Sequence, residues 1–340
     1  MEYTVRGGRH TVVSGSRGER MRPMFALQSI VCMAILCSVG VPTAQASTST
    51  DFGALYELVP ARADGFVAVD HVRLVRHKSA SKLRKFMHDQ GGARGLQAVV
   101  RLGLVPGKAI ARSVSFNVGR VEADVISGVF DVQALKARAK SRLGKTYQEG
   151  SQDGRPWFMV AKGRRFVSLS EGVAVIGNAK MVNRVLSRSK GKGKSLATRT
   201  AFKALVAPAA KAKASLWGAG WLSKAVRRQM TGNNAALWKT ITRSRFHAVG
   251  DSGIQVLAAI YTDSSKSATA LKGVVESEIG RRFNSLTMKM LGVSALVKGA
   301  SFTVKGKVLV THLELTPAQV DLVATTGGKV ISILRAKRAQ

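Results

Sequence analysis

This chain has little of three things: cysteine, aromatic rings and negative charge. Its only cysteines are Cys32 and Cys37, both inside an apolar run near the N-terminus. From residue 47 onward there is none, which excludes disulfides, thiolate zinc sites and cysteine nucleophiles there. Aromatic residues make up 6% of the chain; with no recognised module, that counts against a dedicated nucleic-acid binder. Acidic residues number 19 against 54 Lys and Arg, a formal net charge of +35. Such an excess draws any polyanion to the surface, whether nucleic acid, anionic lipid or an acidic cell-surface polymer, and it says nothing about fold. What is plentiful is apolar material, 45% of 340 residues, enough to core one large domain or two smaller ones.

The N-terminus reads as an export signal. Arg6, Arg9, Arg17, Arg20 and Arg22 precede an uncharged stretch, Phe25–Val41, which is followed by Ala44 and Ala46. A positive region, an apolar region and small residues at the cleavage point are the three parts of a secretory signal, here expected to be cut after Ala46. The basic part is long for a signal, so Met21 and Met24 compete with Met1 as the start. The apolar run is short for a membrane span, so a retained anchor is the lesser alternative. No adjacent arginine pair precedes the apolar run, against the twin-arginine route. Ala34-Ile35-Leu36 ahead of Cys37 does not fit a lipoprotein signal. Residues 1–46 hold five of the Lys and Arg and two of the Asp and Glu, which leaves 49 against 17, a net +32, from residue 47 onward. An exported protein of this size without disulfides fits a bacterial periplasm or extracellular space, where a large core replaces covalent staples.

Beyond residue 50 a unit recurs: two short alternating strands around a tight turn, then an amphipathic helix. The first is Ser113–Asp131, bent at Gly119-Arg120, with Asp131 placed to cap the helix that follows. The second is Trp157–Asn178, with turns at Lys162-Gly163 and Glu171-Gly172, and Asn178 ahead of a helix whose Met181, Val182, Val185 and Leu186 form one apolar stripe. The third, Arg245–Asp263, leads into a helix from Ser264 to about Met290. The fourth is Ala300–Thr316, turned at Lys305-Gly306, with Pro317 at the favoured first turn of a last helix. A strand in "DGFVAVDHV" and a helix in "SASKLRKFMHDQ" come first; helical "SLATRTAFKALVAPAA" and strand-like "ASLWGAGWL" sit between the second and third units. The pattern predicts an α+β fold: antiparallel sheet built from ββα-like units with helices on one face, in two related lobes, 47–196 and 197–340.

The order "LVPARADGFVAVD", "LGLVPGKAI", "GVFDVQALKARA", "VAVIGNAKMVNRVL", "SLATRTAFKAL", "ASLWGAG" resembles a loose group of exported bacterial proteins. Its members carry a signal peptide, an early V-x-V-D strand and a G-x-F-D hairpin leading into a helix. The resemblance covers most of residues 58–330 and implies export and α+β architecture; no chemistry is assigned to the group.

Several short stretches suggest chemistry and then fail a required residue. "SRSKGKGKSLATRT" (Ser187–Thr200) contains Gly193-Lys194-Ser195, the end of a phosphate-binding loop. The first glycine that loop needs falls on Arg188, and the segment upstream is helical rather than a strand. A basic connector between helices, with Ser195 capping the second, is the expectation. Gly250-Asp251-Ser252-Gly253 has the letters of a serine-protease nucleophile turn, but Ile254 follows, and none of His71, His77 or His88 lies in the matching histidine context. Ser79-x-x-Lys82 and Ser187-x-x-Lys190 lack the later Lys-Thr/Ser-Gly strand of acyl-enzymes. Asp70/His71 and His88/Asp89 are neighbours that point apart, so no metal site is expected. His312 is expected on the exposed face of a strand.

No catalytic, cofactor-binding or metal residue is therefore expected. The candidate contacts are a polyanion site at Arg188, Lys190, Lys192 and Lys194, and an aromatic platform at Trp217 and Trp221, which period-two spacing puts on one strand face. Core packing competes for both tryptophans. The composition and the signal together predict an exported, strongly basic, non-enzymatic envelope protein whose partner is an anionic polymer or lipid surface. The alternatives are a non-specific nucleic-acid binder and an enzyme of unrecognised type, the latter requiring a polar cleft that collects Asp70, Asp124 or His247.

Overall fold

The computed structural model describes residues 51–76, 94–119, 121–228, 230, 234–250, 253–283, 289, 294, 296, 299–322 and 326. The first part of the chain runs α1 (Phe52–Leu58), β1 (Gly65–Asp70), α2 (His71–Leu74), α3 (Arg94–Val100), β2 (Ile110–Val118), β3 (Val121–Gly128), α4 (Val132–Leu143), β4 (Glu149–Gln152), β5 (Arg155–Ala161), β6 (Arg164–Ser170), β7 (Val173–Gly177) and α5 (Ala179–Ser189). The second runs α6 (Phe202–Lys211), β8 (Leu216–Trp221), α7 (Lys224–Arg228), α8 (Ala235–Trp238), β9 (Arg243–Gly250), β10 (Ile254–Tyr261), α9 (Ser265–Phe283), β11 (Ala300–Lys305) and β12 (Val308–Leu315). All the strands join one antiparallel sheet in the order β11-β12-β10-β9-β8-β1-β2-β3-β7-β6-β5-β4, so the fold is α+β.

The expected hairpins form where their turn residues allow. Gly119, Gly163, Gly172 and Gly306 all take positive φ at the bends, the conformation glycine adopts without a side-chain penalty. The helix expected from Ser264 is α9, described from Ser265 to Phe283. The expected signal at 1–46 lies outside the described residues. So does the helix expected at 79–90, with Ser79, Lys82, His88 and Asp89; His77, Arg120, Asp251 and Ser252 lie outside them too.

One expectation is corrected: the helices cover both faces of the sheet, not one. Val125 and Ile126 are consecutive on β3 and pack into different cores, as period-two geometry requires for a strand covered on both sides. One core joins α1, α5 and α6 to Phe66, Val114, Phe116, Val175 and Trp217. The other packs Val99 of α3 and Leu135 and Ala139 of α4 against Phe158, Phe166 and Ile176. β7 is buried along its whole length, whereas the edge strand β11 alternates half-buried and exposed residues. A third cluster seats Leu271 and Val275 of α9 against Ile260 and Leu309.

The two halves run β1-β2-β3-β7-β6 and β8-β9-β10-β12-β11, the same order, and meet where β1 pairs antiparallel with β8. In each, a helix (α4 or α9) follows the third strand, and a later strand returns to pair with it. The chain passes from the first half to the second between α5 and α6. Position 196 is Leu196, fully buried in the core shared by α1, α5 and α6.

The scarce acidic residues are engaged inside this framework. Asp51 accepts from the Ala54 N–H at the start of α1, Asp70 from Arg73 N–H at α2, and Asp131 from Gln133 and Ala134 N–H at α4. Asn178 caps α5 through Met181 N–H. Each such cap satisfies a helix N–H that would otherwise lack a partner. Other carboxylates pair with cations, as Glu149 does with Lys136, Glu122 with Arg164, Glu57 with Arg188 and Asp153 with Lys190.

Candidate functional site

The basic connector lies between α5 and α6, as its sequence implies, and the structure divides its cations into two kinds. Gly191 and Gly193 carry φ of +74° and +81°, so the chain doubles back after α5. The turned loop is pinned to the segment after α1, where Ala61 N–H donates to Lys194 O and Leu196 N–H to Val59 O. Arg188 turns inward. Its Nε donates to Glu57 O at 3.1 Å, and its other nitrogens reach Lys192 O, Gly193 O and the Glu57 carboxylate. It is a strut of the loop. Lys190 pairs with Asp153 at 2.7 Å and holds that carboxyl below its usual range. Lys192 and Lys194 are exposed. The expected cap from Ser195 does not form: its side chain makes no cap bond, and its buried Oγ lacks a partner. The backbone bridge to Pro60 holds Ser195 in place of a cap.

Tertiary structure adds cations that the connector alone did not reveal. Arg184, on α5, lies beside Arg62, and burial followed by that like charge lowers its pKa. Arg199 donates to Ala61 O and Ala63 O and stacks over the Trp221 ring at 4.0 Å. The signal available in the sequence was the spacing of Arg184 and Arg188 on one face of α5; nothing local placed Arg62 beside them.

The tryptophans are not a free platform. Trp217 is 8% exposed, stands edge-on to Phe52 at 4.4 Å, and donates its Nε1–H to the Tyr56 hydroxyl at 2.6 Å. Trp221 is half-buried under Arg199. Together with Phe66 and Phe202 they form the aromatic centre of one core. Tyr56→Phe removes the acceptor of a buried indole N–H and is expected to cost about 1–3 kcal/mol. Urea denaturation followed by tryptophan fluorescence measures it; an unchanged midpoint would show that the bond carries no net stability.

Asp70, Asp124 and His247 do not share a cleft. Asp70 caps α2. Asp124 is fully buried on β3, accepting from Ser115 Oγ at 2.5 Å and from Leu96 N–H at 3.1 Å, and burial pushes its pKa up to about 6. His247 pairs with Trp217 in the ladder and so lies on the Trp217 face of the sheet, the face opposite to that of Asp124. Burial, then Arg245, lowers its pKa to about 4. His71 Nε2 and Ser113 Oγ are 2.9 Å apart. Both are buried, and no carboxylate bonds to the His71 ring among the described residues, so the pair lacks the third member of a hydrolytic triad. His312 is half-buried on β12, on the face opposite Leu309 and Leu313. Among the described residues no group of three or more His, Cys, Asp or Glu could hold a metal. No described helix is long and apolar enough to cross a membrane.

Fold and surface together define an antiparallel α+β protein with a basic connector and no assembled catalytic set among the described residues. No protein-family model matches the chain, and no curated protein matches it in sequence. Among solved structures, crystal form I of TP0453 is similar over 82% of this chain and 98% of that one, at 8% identity and a TM-score of 0.48. Crystal form IV of the same protein is similar over 79% and 95%, at 8% identity and 0.47.

Proposed function

We propose that this protein is exported and works by associating with an anionic polymer or lipid surface of the cell envelope, rather than by catalysis. The observation that supports this reading is the state of the charges. Asp51, Asp70 and Asp131 sit in helix caps, while Lys192 and Lys194 project from a loop whose backbone Arg188 fixes. A loop whose backbone is already held loses little backbone entropy on contact, and the lysine side chains carry the remaining ordering cost. Each lysine near an anionic surface contributes about 1 kcal/mol, falling off within a Debye length.

The test is co-sedimentation of the full chain with phosphatidylglycerol-containing vesicles at low and high salt. Binding is expected at low salt and is expected to collapse as salt rises. Reversing both lysines (Lys192→Glu with Lys194→Glu) is expected to weaken binding by at least ~tenfold. The control reverses Lys305 and Lys307, exposed at the β11–β12 turn, and is expected to weaken it less. Equal loss from both pairs would show that the connector is no focus. Indifference to vesicles at any salt would overturn the reading itself.

A further inference from the structure

A second basic feature lies on the other side of the sheet from the Trp217 core and is built quite differently. Val99 and Leu102 pack with Leu135 and Ala139 in one core, which draws the C-terminal end of α3 against α4. Arg138 and Arg142 are one turn apart on α4 and share a face. Arg138 Nη1 donates to Leu102 O and Arg142 Nη1 to Arg101 O, both at 3.1 Å. Gly103, with φ of +94°, makes room for this: a Cβ there would stand 2.4 Å from Arg138 Nη1. The result is an open groove of about 430 Å³, floored by Leu102 and lined by Arg101, Arg138, Arg142, Ser141 and the small Ala137.

Three guanidinium groups face this groove, and no carboxylate pairs with any of them among the described residues. Like charges gathered in one place repel, and a bound anion would relieve that repulsion. Bonding to the carbonyls of Arg101 and Leu102, just after α3, engages one nitrogen of Arg138 and one of Arg142. Each guanidinium has five N–H donors, so most remain for a ligand. Planar forks aimed by fixed backbone acceptors suit an oxyanion with several equivalent oxygens, which arginine binds through paired N–H···O bonds. The Ser141 hydroxyl adds a neutral donor on the same helix.

We infer that this groove is a binding site for a phosphomonoester group, carried by a molecule larger than the phosphate itself. The open mouth and the alanine beside it leave room for what the phosphate is attached to. The inference deepens the polyanion reading above, because it names a group that the protein grips and where.

Isothermal titration calorimetry on the full chain tests it with inorganic phosphate, glucose 1-phosphate and glucose. Vesicle sedimentation adds a lipid-borne arm, with phosphatidylcholine vesicles containing phosphatidic acid. Saturable binding of the phosphate-bearing probes is expected, and none of glucose. Arg101→Ala leaves both carbonyl bonds in place, and is expected to weaken binding about tenfold with the thermal midpoint unchanged. Arg138→Lys with Arg142→Lys keeps the charge but removes the forks, and is expected to weaken it by a similar factor. A response to phosphatidic acid alone would assign the site to a lipid headgroup, and a response to the soluble probes alone to a free phosphate compound; both support the site.

The inference is overturned if no probe saturates, or if Arg101→Ala and the lysine pair bind like the parent. The two readings fail separately. Salt-sensitive binding to phosphatidylglycerol vesicles without saturable phosphomonoester binding removes the groove and leaves the surface reading. The reverse pattern does the opposite.

Discussion

Gly128→Ala is expected to destabilise the protein by about 3 kcal/mol or more, whereas Gly273→Ala is expected to stabilise it by about 0.5–1 kcal/mol. Gly128 closes β3 opposite Ile110, where the β2–β3 ladder shifts register between Ile110 and Arg112. A Cβ there would lie 1.9 Å from Ala109 O and 2.9 Å from Ile110 Cα. Those atoms are backbone, so no rotamer change relieves the clash; the strand itself must move. Moving it breaks the Val129 N–H bond to Ala109 O and loosens Ile110 and Ile126, both fully buried in the same core. Gly273 is an exposed interior position of α9 with nothing within 4 Å of an added Cβ. There the methyl group only reduces the freedom of the unfolded chain. Urea midpoints of the two variants, compared at constant slope, measure the difference. If both substitutions moved the midpoint the same way, the close approach at Gly128 would not be limiting.

The contrast also marks how far the sequence could be read. Local chemistry was legible: Asp131 and Asn178 cap the helices they precede, and the bends fall at Gly119, Gly163, Gly172 and Gly306. Each of those depends on a few consecutive residues. The two-sided burial of β3 and β7 was less legible, because "VAVIG" gives the same short apolar run whether one or both faces are covered. β4 went unseen, since "EGSQ" at a sheet edge carries no apolar alternation. At the candidate sites the limit is the same. The spacing in "SRSKGKGK" shows where the cations are, but only the fold shows that Arg188 bends back to Glu57 and that Lys190 meets Asp153. The arginine groove was invisible for the same reason. Arg101 and Arg138 come from separate elements, and core packing behind them, rather than any motif, brings them together.

Acidification should weaken the fold through its buried histidines, and Asp124 should oppose that trend. His71 is 5% exposed, and burial lowers its pKa from 6.5 to about 4; His247 is lowered to about 4 by burial and then by Arg245. A group whose folded pKa lies below its unfolded value stabilises the fold above the unfolded pKa. That contribution is lost as pH falls from about 6.5 toward 4. For His71 the loss is about 3 kcal/mol, and His247 adds to it. Asp124 carries the opposite sign. Its folded pKa is raised from 3.8 to about 6, mainly by burial, against the opposing bonds from Ser115 and Leu96 N–H and the nearby Arg164. Its contribution is fully present below pH 3.8 and is lost as pH rises through 6, so at neutral pH the ionised carboxylate costs stability. Asp124→Asn is therefore expected to gain about 3 kcal/mol near neutral pH and little near pH 4. The amide can still accept from Leu96 N–H while donating to Ser115 Oγ, so the gain comes from charge rather than from a lost bond. The variant's stability should then fall more steeply with acid than the parent's, and His71→Gln should flatten the fall. Urea denaturation at a series of pH values reads all three curves. A parent stability that does not change between pH 6.5 and 4, together with an Asp124→Asn curve that overlays it, would mean that neither charge is excluded from the folded core.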